Sequence, residues 1–435
     1  MTRKFLILLS ALPLAACGFQ GTDMEDTDSD TVAQSQTSTD YGYDTYSDDN
    51  LADSMASNDA AYMTASREGA STASEGENAG RSSAAIDIPD PEDRPIMHAQ
   101  VVLDRRGFGP GVIDGKMGQS THNAIEGFQE ASGLDVTGDL DDATKEQLQR
   151  WDRLPATRVV TIPASWGRID YETIPDDPSA KAEMERLGYT SLDEKLAERF
   201  HTTVDVLKRL NPEGRPAGMD GAGSRPAGGA SPTPSASFSP SSSASSGSSR
   251  DADTQSYFTA GQPIRVPNIG ADRIVPGDIG DHDWQRTLAS LGVGTEQPEV
   301  ARLVVDKSGG WLKGYDVDDN LVAMFTVTTG STHDPLPLGD WGITGISHNP
   351  PFSYDPDLFW DVPDSEDDLQ LPPGPNGPVG VVWIDLTKEH YGIHGTGEPQ
   401  TIGRVQSHGC VRLTNWDAAR LAEMVDTNTK VVFQA

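Results

Sequence analysis

Apolar positions along this chain follow three regimes. From residue 18 to about 95 Ser, Thr, Asp, Ala and Gly dominate, with no helical or strand period. Between Ile96 and Trp151 a helical period sets in. Ala99, Val102 and Leu103 share one face before Gly107-Phe108, and Thr121, Ala124, Ile125 and Phe128 recur at i, i+3, i+4 and i+7. Turns at Asp114-Gly115, Gly118, Gly133-Leu134 and Thr137-Gly138 separate these helices from a third, which starts near Asp141 and runs past Thr144 to Leu148. Residues 96–151 are therefore predicted to form a small three-helix bundle. Asp114-Gly115 reads as a turn, since it lacks the alternating oxygen ligands of a calcium loop.

Two further helices are predicted at residues 188–212. Ser191-Leu192-Asp193-Glu194 is a capping box, followed by an apolar stripe of Leu192, Leu196, Ala197 and Phe200. The second runs from Thr203 through Val206, Leu207 and Leu210, and stops at Asn211-Pro212. A Ser/Pro/Gly/Ala-rich stretch, residues 213–255, reads as a disordered insertion. Gly261 to Asn268 reads as a strand leaving a turn. From residue 299 the pattern turns to strands at Arg302–Asp306, Leu321–Thr328, Val379–Leu386 and Val431–Phe433. One helix is expected there, Asp417–Val425, with Ala418, Leu421, Ala422 and Val425 on one face. The fold class is multidomain: a mostly-β C-terminal domain (299–435), a helical module and a small α/β segment (157–212 with 256–270), joined by disordered linkers.

A chain of 435 residues suggests two to four such units. The net charge of −34 is unevenly spread: residues 18–95 hold eighteen acidic residues against three arginines. Phosphate would be repelled, which excludes nucleic acid as a natural partner. Residues 18–95 are expected to be a disordered acidic tether, with an r.m.s. span of roughly 50 Å. Ahead of it, Arg3-Lys4, the apolar run Phe5–Leu14 and the small residues Ala15-Ala16 make a secretory signal over residues 1–17. Leu14-Ala15-Ala16-Cys17 resembles a bacterial lipobox, which implies a lipid on Cys17. The alternative is an ordinary signal peptide with a chance cysteine. Gly18, in place of Asp, resembles the Gram-negative pattern that releases lipoproteins to the outer membrane. A periplasmic protein, anchored in that membrane by its lipid, is expected. Acylation of Cys17 would leave Cys410, the other of the two cysteines, a free thiol.

Cys410 stands in Ser407-His408-Gly409-Cys410-Val411-Arg412-Leu413, downstream of Ile393-His394-Gly395-Thr396. A thiol needs a base to become a nucleophile, and donors to hold the oxyanion it creates. His394 can supply the first if the intervening loop folds back, and backbone N–H groups at Gly409 and Cys410 can supply the second. A zinc site built from His394, His408 and Cys410 is a competing use of the same residues.

These residues resemble the signature of the L,D-transpeptidases of the YkuD family. The likeness continues upstream through Arg302-Leu303-Val304-Val305-Asp306, Thr329-Gly330, Pro335-Leu336-Pro337-Leu338-Gly339 and Pro375-Asn376-Gly377-Pro378. It implies a β-sandwich with the active site at its mouth and no metal or organic cofactor. It further implies Cys410 as nucleophile, His394 as proton acceptor and donor, and the Gly395 carbonyl as the group that orients His394. His408 takes a supporting role, while Arg412, Ser407 and Thr396 are candidate substrate contacts. Arg404, Tyr354 and Trp341 are weaker candidates at the cleft. The implied reaction is 3→3 cross-linking of peptidoglycan stem peptides through a thioester. L,D-carboxypeptidase action, attachment of a protein amine, and a non-catalytic wall-anchoring lipoprotein remain alternatives. Residues 96–151 resemble the peptidoglycan-binding domain 1 family, which implies glycan of the wall as a partner. The two helices, Leu210-Asn211-Pro212 and the Gly261–Asn268 strand resemble a LysM module, but the opening strand of that family, with its Gly-Asp, is not found.

Overall fold

The computed structural model describes residues 88–219, 256–275, 279–356 and 368–435. The expected signal with Cys17, nearly all of the expected tether and most of the expected insertion lie outside the described residues.

Proline opens α1 (Pro95–Arg105), a position where its missing N–H costs nothing. The two-residue strand β1 (Phe108–Gly109), α2 (Gln119–Ala131) and α3 (Asp142–Leu148) follow. The three expected helical faces are buried, with Leu103, Ala124 and Ile125 fully so. Turns are secured by two buried amides. Gln100 accepts from Gly115 N (2.8 Å) and donates to Thr121 Oγ1 (3.0 Å). Gln129 accepts from Thr137 N (2.8 Å) and Gly138 N (2.9 Å) and donates to Thr144 Oγ1 (2.8 Å).

Next come β2 (Thr157–Thr161), α4 (Pro178–Ala182), α5 (Leu192–Arg199), α6 (Val204–Leu210) and β3 (Pro263–Pro267). The hydroxyls of Ser191 and Thr203 cap α5 and α6, each accepting from the N–H three residues on. An opening strand does precede these helices. β2 pairs antiparallel with β3, from Thr157↔Pro267 to Thr161↔Pro263, so the segment has the order β-α-α-β. Two expected boundaries also move. The Arg265 guanidinium donates to the carbonyls of Ile88, Pro89 and Ala217, so 88–94 and 213–219 are packed parts of this segment. Buried carbonyls that a cation satisfies are structure, not tether.

The C-terminal region begins with a helix the sequence reading passes over, α7 (His282–Leu291). Asp281 caps it and left-handed Gly292 ends it, and Trp284, Leu288 and Leu291 lie fully buried at i, i+4 and i+7. Strands β4 (Arg302–Asp306), β5 (Trp311–Tyr315) and β6 (Leu321–Thr326) form a meander. After them come β7 (Gly339–His348), β8 (Phe352–Tyr354), β9 (Leu369–Leu371), β10 (Val382–Leu386), β11 (Gly392–His394) and β12 (Val411–Arg412). Helix α8 (Asn415–Ala422) and β13 (Lys430–Gln434) close the chain. Helix α8 starts two residues earlier than expected because Thr414, not Asn415 or Trp416, is its cap; Thr414 accepts from Asp417 N.

Two separate sandwich sheets are not what forms. Strand pairing is continuous in the order β1-β6-β5-β4-β13-β7-β10-β11-β12. The long β7 makes this possible: Gly339–Gly342 pair with β13, and Ile343–His348 with β10. A strand that passes from one sheet half to the other lets both halves face one core. Leu303, Val305, Leu312 and Phe325 meet Ile384, Ile393, Val411 and Trp416 there.

Nor are the described units strung on loose linkers. β1 adds to the sheet edge parallel to β6, with Phe108↔Met324 in register. Leu321 and Met324 share a buried cluster with Ala99, Leu103 and Phe128. Across the same seam Asn123 donates to Gly309 O (3.2 Å), and Glu130 meets Lys313 and Tyr315.

Candidate active site

Parallel pairing of β11 with β12 sets the site. Ile393↔Val411 and His394↔Arg412 are in register, which puts Cys410 beside Gly392. Because aligned residues of adjacent strands point to the same side, His394, Cys410 and Arg412 share one face. Ile393 and Val411 turn the other way and are fully buried. The fifteen residues between His394 and Cys410 thus return the thiol to the histidine strand, as the spacing requires.

The His394 ring is 3% exposed and stacks on its cross-strand neighbour Trp383, with centroids 5.6 Å apart. Its Nδ1 lies 2.8 Å from the Gly395 carbonyl. A carbonyl can only accept, so Nδ1 carries the hydrogen and Nε2 presents a lone pair. Burial, with the charge of Arg412 adding to it, holds the imidazole down at about 3 instead of 6.5. Burial also pushes the Cys410 thiol above its ordinary 9.0, opposed by the Gly392 N–H and the Arg412 charge. Cys410 is only partly covered, so water moderates that rise. The thiol and the imidazole on this face are both neutral at rest, a protonation state suited to proton removal during attack.

Gly409 adopts φ +106°, a region that favours glycine, and a Cβ there would lie 2.6 Å from the Tyr391 ring. Among the described residues neither Gly409 nor Cys410 spends its N–H on a backbone acceptor. Backbone donors so placed beside a thiol can hold an oxyanion. Ser407, expected among the substrate contacts, is buried and its hydroxyl donates to Cys410 O (2.6 Å); it shapes the turn that carries the thiol. Thr396 is likewise engaged locally, accepting from Glu398 N (3.2 Å). Arg412 is half-buried with its Nε unpaired, and burial lowers its affinity for the proton. Its backbone bridges Thr328 in both directions. His408 is partly exposed, two residues from the thiol. Arg404 is exposed, the Trp341 indole donates to Pro337 O (2.8 Å), and Tyr354 sits in the β8–β9 hairpin.

Several contributors are absent from the sequence reading. Gly392 donates to the sulfur, the thiol faces His390 O at 3.8 Å, and Tyr391 closes over Gly409. One signal was available: Gly392 and His394 are two apart, so they lie on one face of a strand. The zinc alternative needs His394, His408 and Cys410 to converge; among the described residues no three His, Cys, Asp or Glu side chains do so. A cleft of about 360 Å³ lies between Gln119, the Lys307–Gly310 turn, Thr326–Gly330 and Gly403–Gln406. Neither Cys410 nor His394 lines it.

Residues 301–433 match a family model described as "L,D-transpeptidase catalytic domain", and residues 93–148 one described as "Putative peptidoglycan binding domain". The chain is 32% identical over 130 residues to "Putative L,D-transpeptidase YkuD" of Bacillus licheniformis, covering 30% of this chain and 63% of that protein. It is 49% identical over 57 residues to the protein of the same name from Bacillus subtilis, covering 13% and 35%. The chain therefore spans less than two thirds of either relative. Among solved structures, L,D-transpeptidase 3 from Mycobacterium tuberculosis aligns at 17% identity with a TM-score of 0.26, covering 32% of this chain and 62% of that one.

Proposed function

We propose that this protein is a peptidoglycan L,D-transpeptidase that works through a thioester on Cys410. The observation that carries the reading is the pairing of β11 with β12, which sets His394 and Cys410 on one face with the Gly395 carbonyl holding Nδ1. Cys410 attacks the carbonyl between the third-position diamino acid and the terminal D-alanine of a tetrapeptide stem. His394 Nε2 takes the thiol proton and passes it to the amine of the departing D-alanine. The side-chain amine of a second stem then attacks the thioester, loses a proton to His394 and returns the thiol, leaving a 3→3 cross-link. The N–H groups of Gly409 and Cys410 hold the oxyanion at both stages. Arg412 suits the stem carboxylate.

The helical module at 96–151 is read as a wall-binding element. A lipid on Cys17, in the outer membrane of a Gram-negative cell, fixes the other end of the chain in the periplasm. Such anchoring raises the local concentration of enzyme and substrate to the millimolar range for suitable linkers. Incubation of the 88–435 fragment with purified tetrapeptide stems, followed by mass spectrometry, tests the reaction. A cross-linked dimer lacking one D-alanine is expected; free tripeptide alone would make the enzyme a carboxypeptidase, and no product would remove the reading. Chelators should leave the rate unchanged, and a loss restored by zinc would favour the metal alternative.

A further inference from the structure

The turn that follows His394 is held on both sides by asparagines. Asn415 at the start of α8 lies against Gly395, where even a Cβ would come within 2.3 Å of Asn415 Oδ1. That oxygen accepts from Val381 N (3.2 Å), while Nδ2 donates to Pro375 O (3.0 Å). On the other side, a Cβ at Gly397 would lie 2.3 Å from Asn376 Oδ1. Gly395 is the residue whose carbonyl fixes the His394 ring. Both asparagines therefore pack directly against that turn.

Both asparagines have further partners outside the catalytic domain. Asn415 Nδ2 donates to Glu198 Oε1 (2.6 Å), and Asn376 Nδ2 to Glu194 Oε1 (2.6 Å) and Gly188 O (2.9 Å). Glu194 and Glu198 are four apart on α5, one turn of a single helix face. The adjoining backbone is tied to the same place: Leu187 N donates to Pro373 O (2.9 Å) and Asn376 N to Leu187 O (3.0 Å). A buried amide that lost its acceptor would seek another by rotating, and Gly395 would follow it.

We propose that Glu198 and Glu194 are positioning residues for the catalytic histidine: through Asn415 and Asn376 they clamp the Gly395–Gly397 turn that orients His394. The β-α-α-β segment is then part of the active site's support, in addition to any affinity of its own. This rests on the reading of His394 as the base, so the test includes a measurement that needs no substrate.

The experiment follows alkylation of Cys410 by iodoacetamide, read by mass spectrometry of its peptide, alongside kcat and KM on tetrapeptide stems. Glu198→Ala should slow alkylation at pH 7.5 about tenfold and lower kcat similarly, with KM within about twofold. Glu198→Gln, which keeps an oxygen toward Asn415, should recover most of both. A folded Glu198→Ala protein that alkylates at the wild-type rate would overturn the proposal, as would a Gln variant as slow as the Ala one. If Glu198→Ala does not fold, Asn376→Ser tests the other arm of the clamp with the same two readouts. Slowed alkylation in a protein without activity on stems would sink the proposed reaction and leave the clamp standing.

Discussion

At the scale of single residues, burial sets the protonation states on which the mechanism depends. Because His394 is held at about 3 and Cys410 above 9.0, no ion pair forms at neutral pH. Alkylation of Cys410 should therefore climb steadily from pH 6 to beyond pH 9, with no step near 6.5. A plateau from pH 5 upward would mean a preformed thiolate and would contradict these shifts. His394→Ala should slow acylation on the order of 100-fold or more, the usual share of a general base, while His408→Ala costs less. Gly409→Ala should cost on the order of 1–3 kcal/mol, since it forces alanine into a left-handed conformation against Tyr391; turnover should fall with it. The motif around Cys410 was legible in the sequence because it is local. Asn415 and Glu198 were not, because their partners lie 217 positions apart and only the fold brings them together.

At the scale of elements, capped helices were legible and unannounced ones were not. Ser191, Thr203 and Asp141 each cap the helix expected of them. Helix α7 carries the same signals in Asp281, Gly292 and the spacing of Trp284, Leu288 and Leu291, but over only ten residues. Strand β2 was missed because five residues, Thr157-Arg158-Val159-Val160-Thr161, show a β-branched bias but too few positions for a period. The junction of α5 with α8 makes a prediction of its own. Burial raises Glu198 on α5 and Asp417 on α8 to about 7, and Glu198 Oε2 and Asp417 Oδ1 have no hydrogen-bond partner among the described residues. A carboxyl raised in the folded state stabilises it below the ordinary carboxylate range, and that contribution is lost as pH rises through 7. His394, being depressed, acts in the opposite sense between about 3 and 6.5, so the comparison must be with a variant. Wild type should lose stability relative to Asp417→Asn between pH 5 and 8, on the order of a few kcal/mol. Denaturant unfolding at both pH values measures it, and a difference independent of pH would refute it.

At the scale of the whole molecule, the way the folded regions join was not legible. Composition separates three folded regions, yet contacts such as Phe108↔Met324 and Asn123 to Gly309 carry no signature in either segment alone. Removal of 96–151 would uncover Met324 and Leu321, 0% and 8% exposed in the intact chain. A chain lacking 96–151 should therefore be poorly soluble or unfold at a much lower temperature than one that keeps it. Equal midpoints in thermal scans would mean that the shared cluster contributes little. Cys17→Ser should give soluble protein with undiminished activity on isolated stems, and its retention in membranes would remove the lipid from the account. The central claim is the thioester, and intact-protein mass spectrometry during turnover of tetrapeptide stems tests it most directly. The account predicts an adduct of the stem less its terminal D-alanine, mapped to the Cys410 peptide and missing from Cys410→Ala, which should turn nothing over. Cross-linking that persists in Cys410→Ala would contradict it.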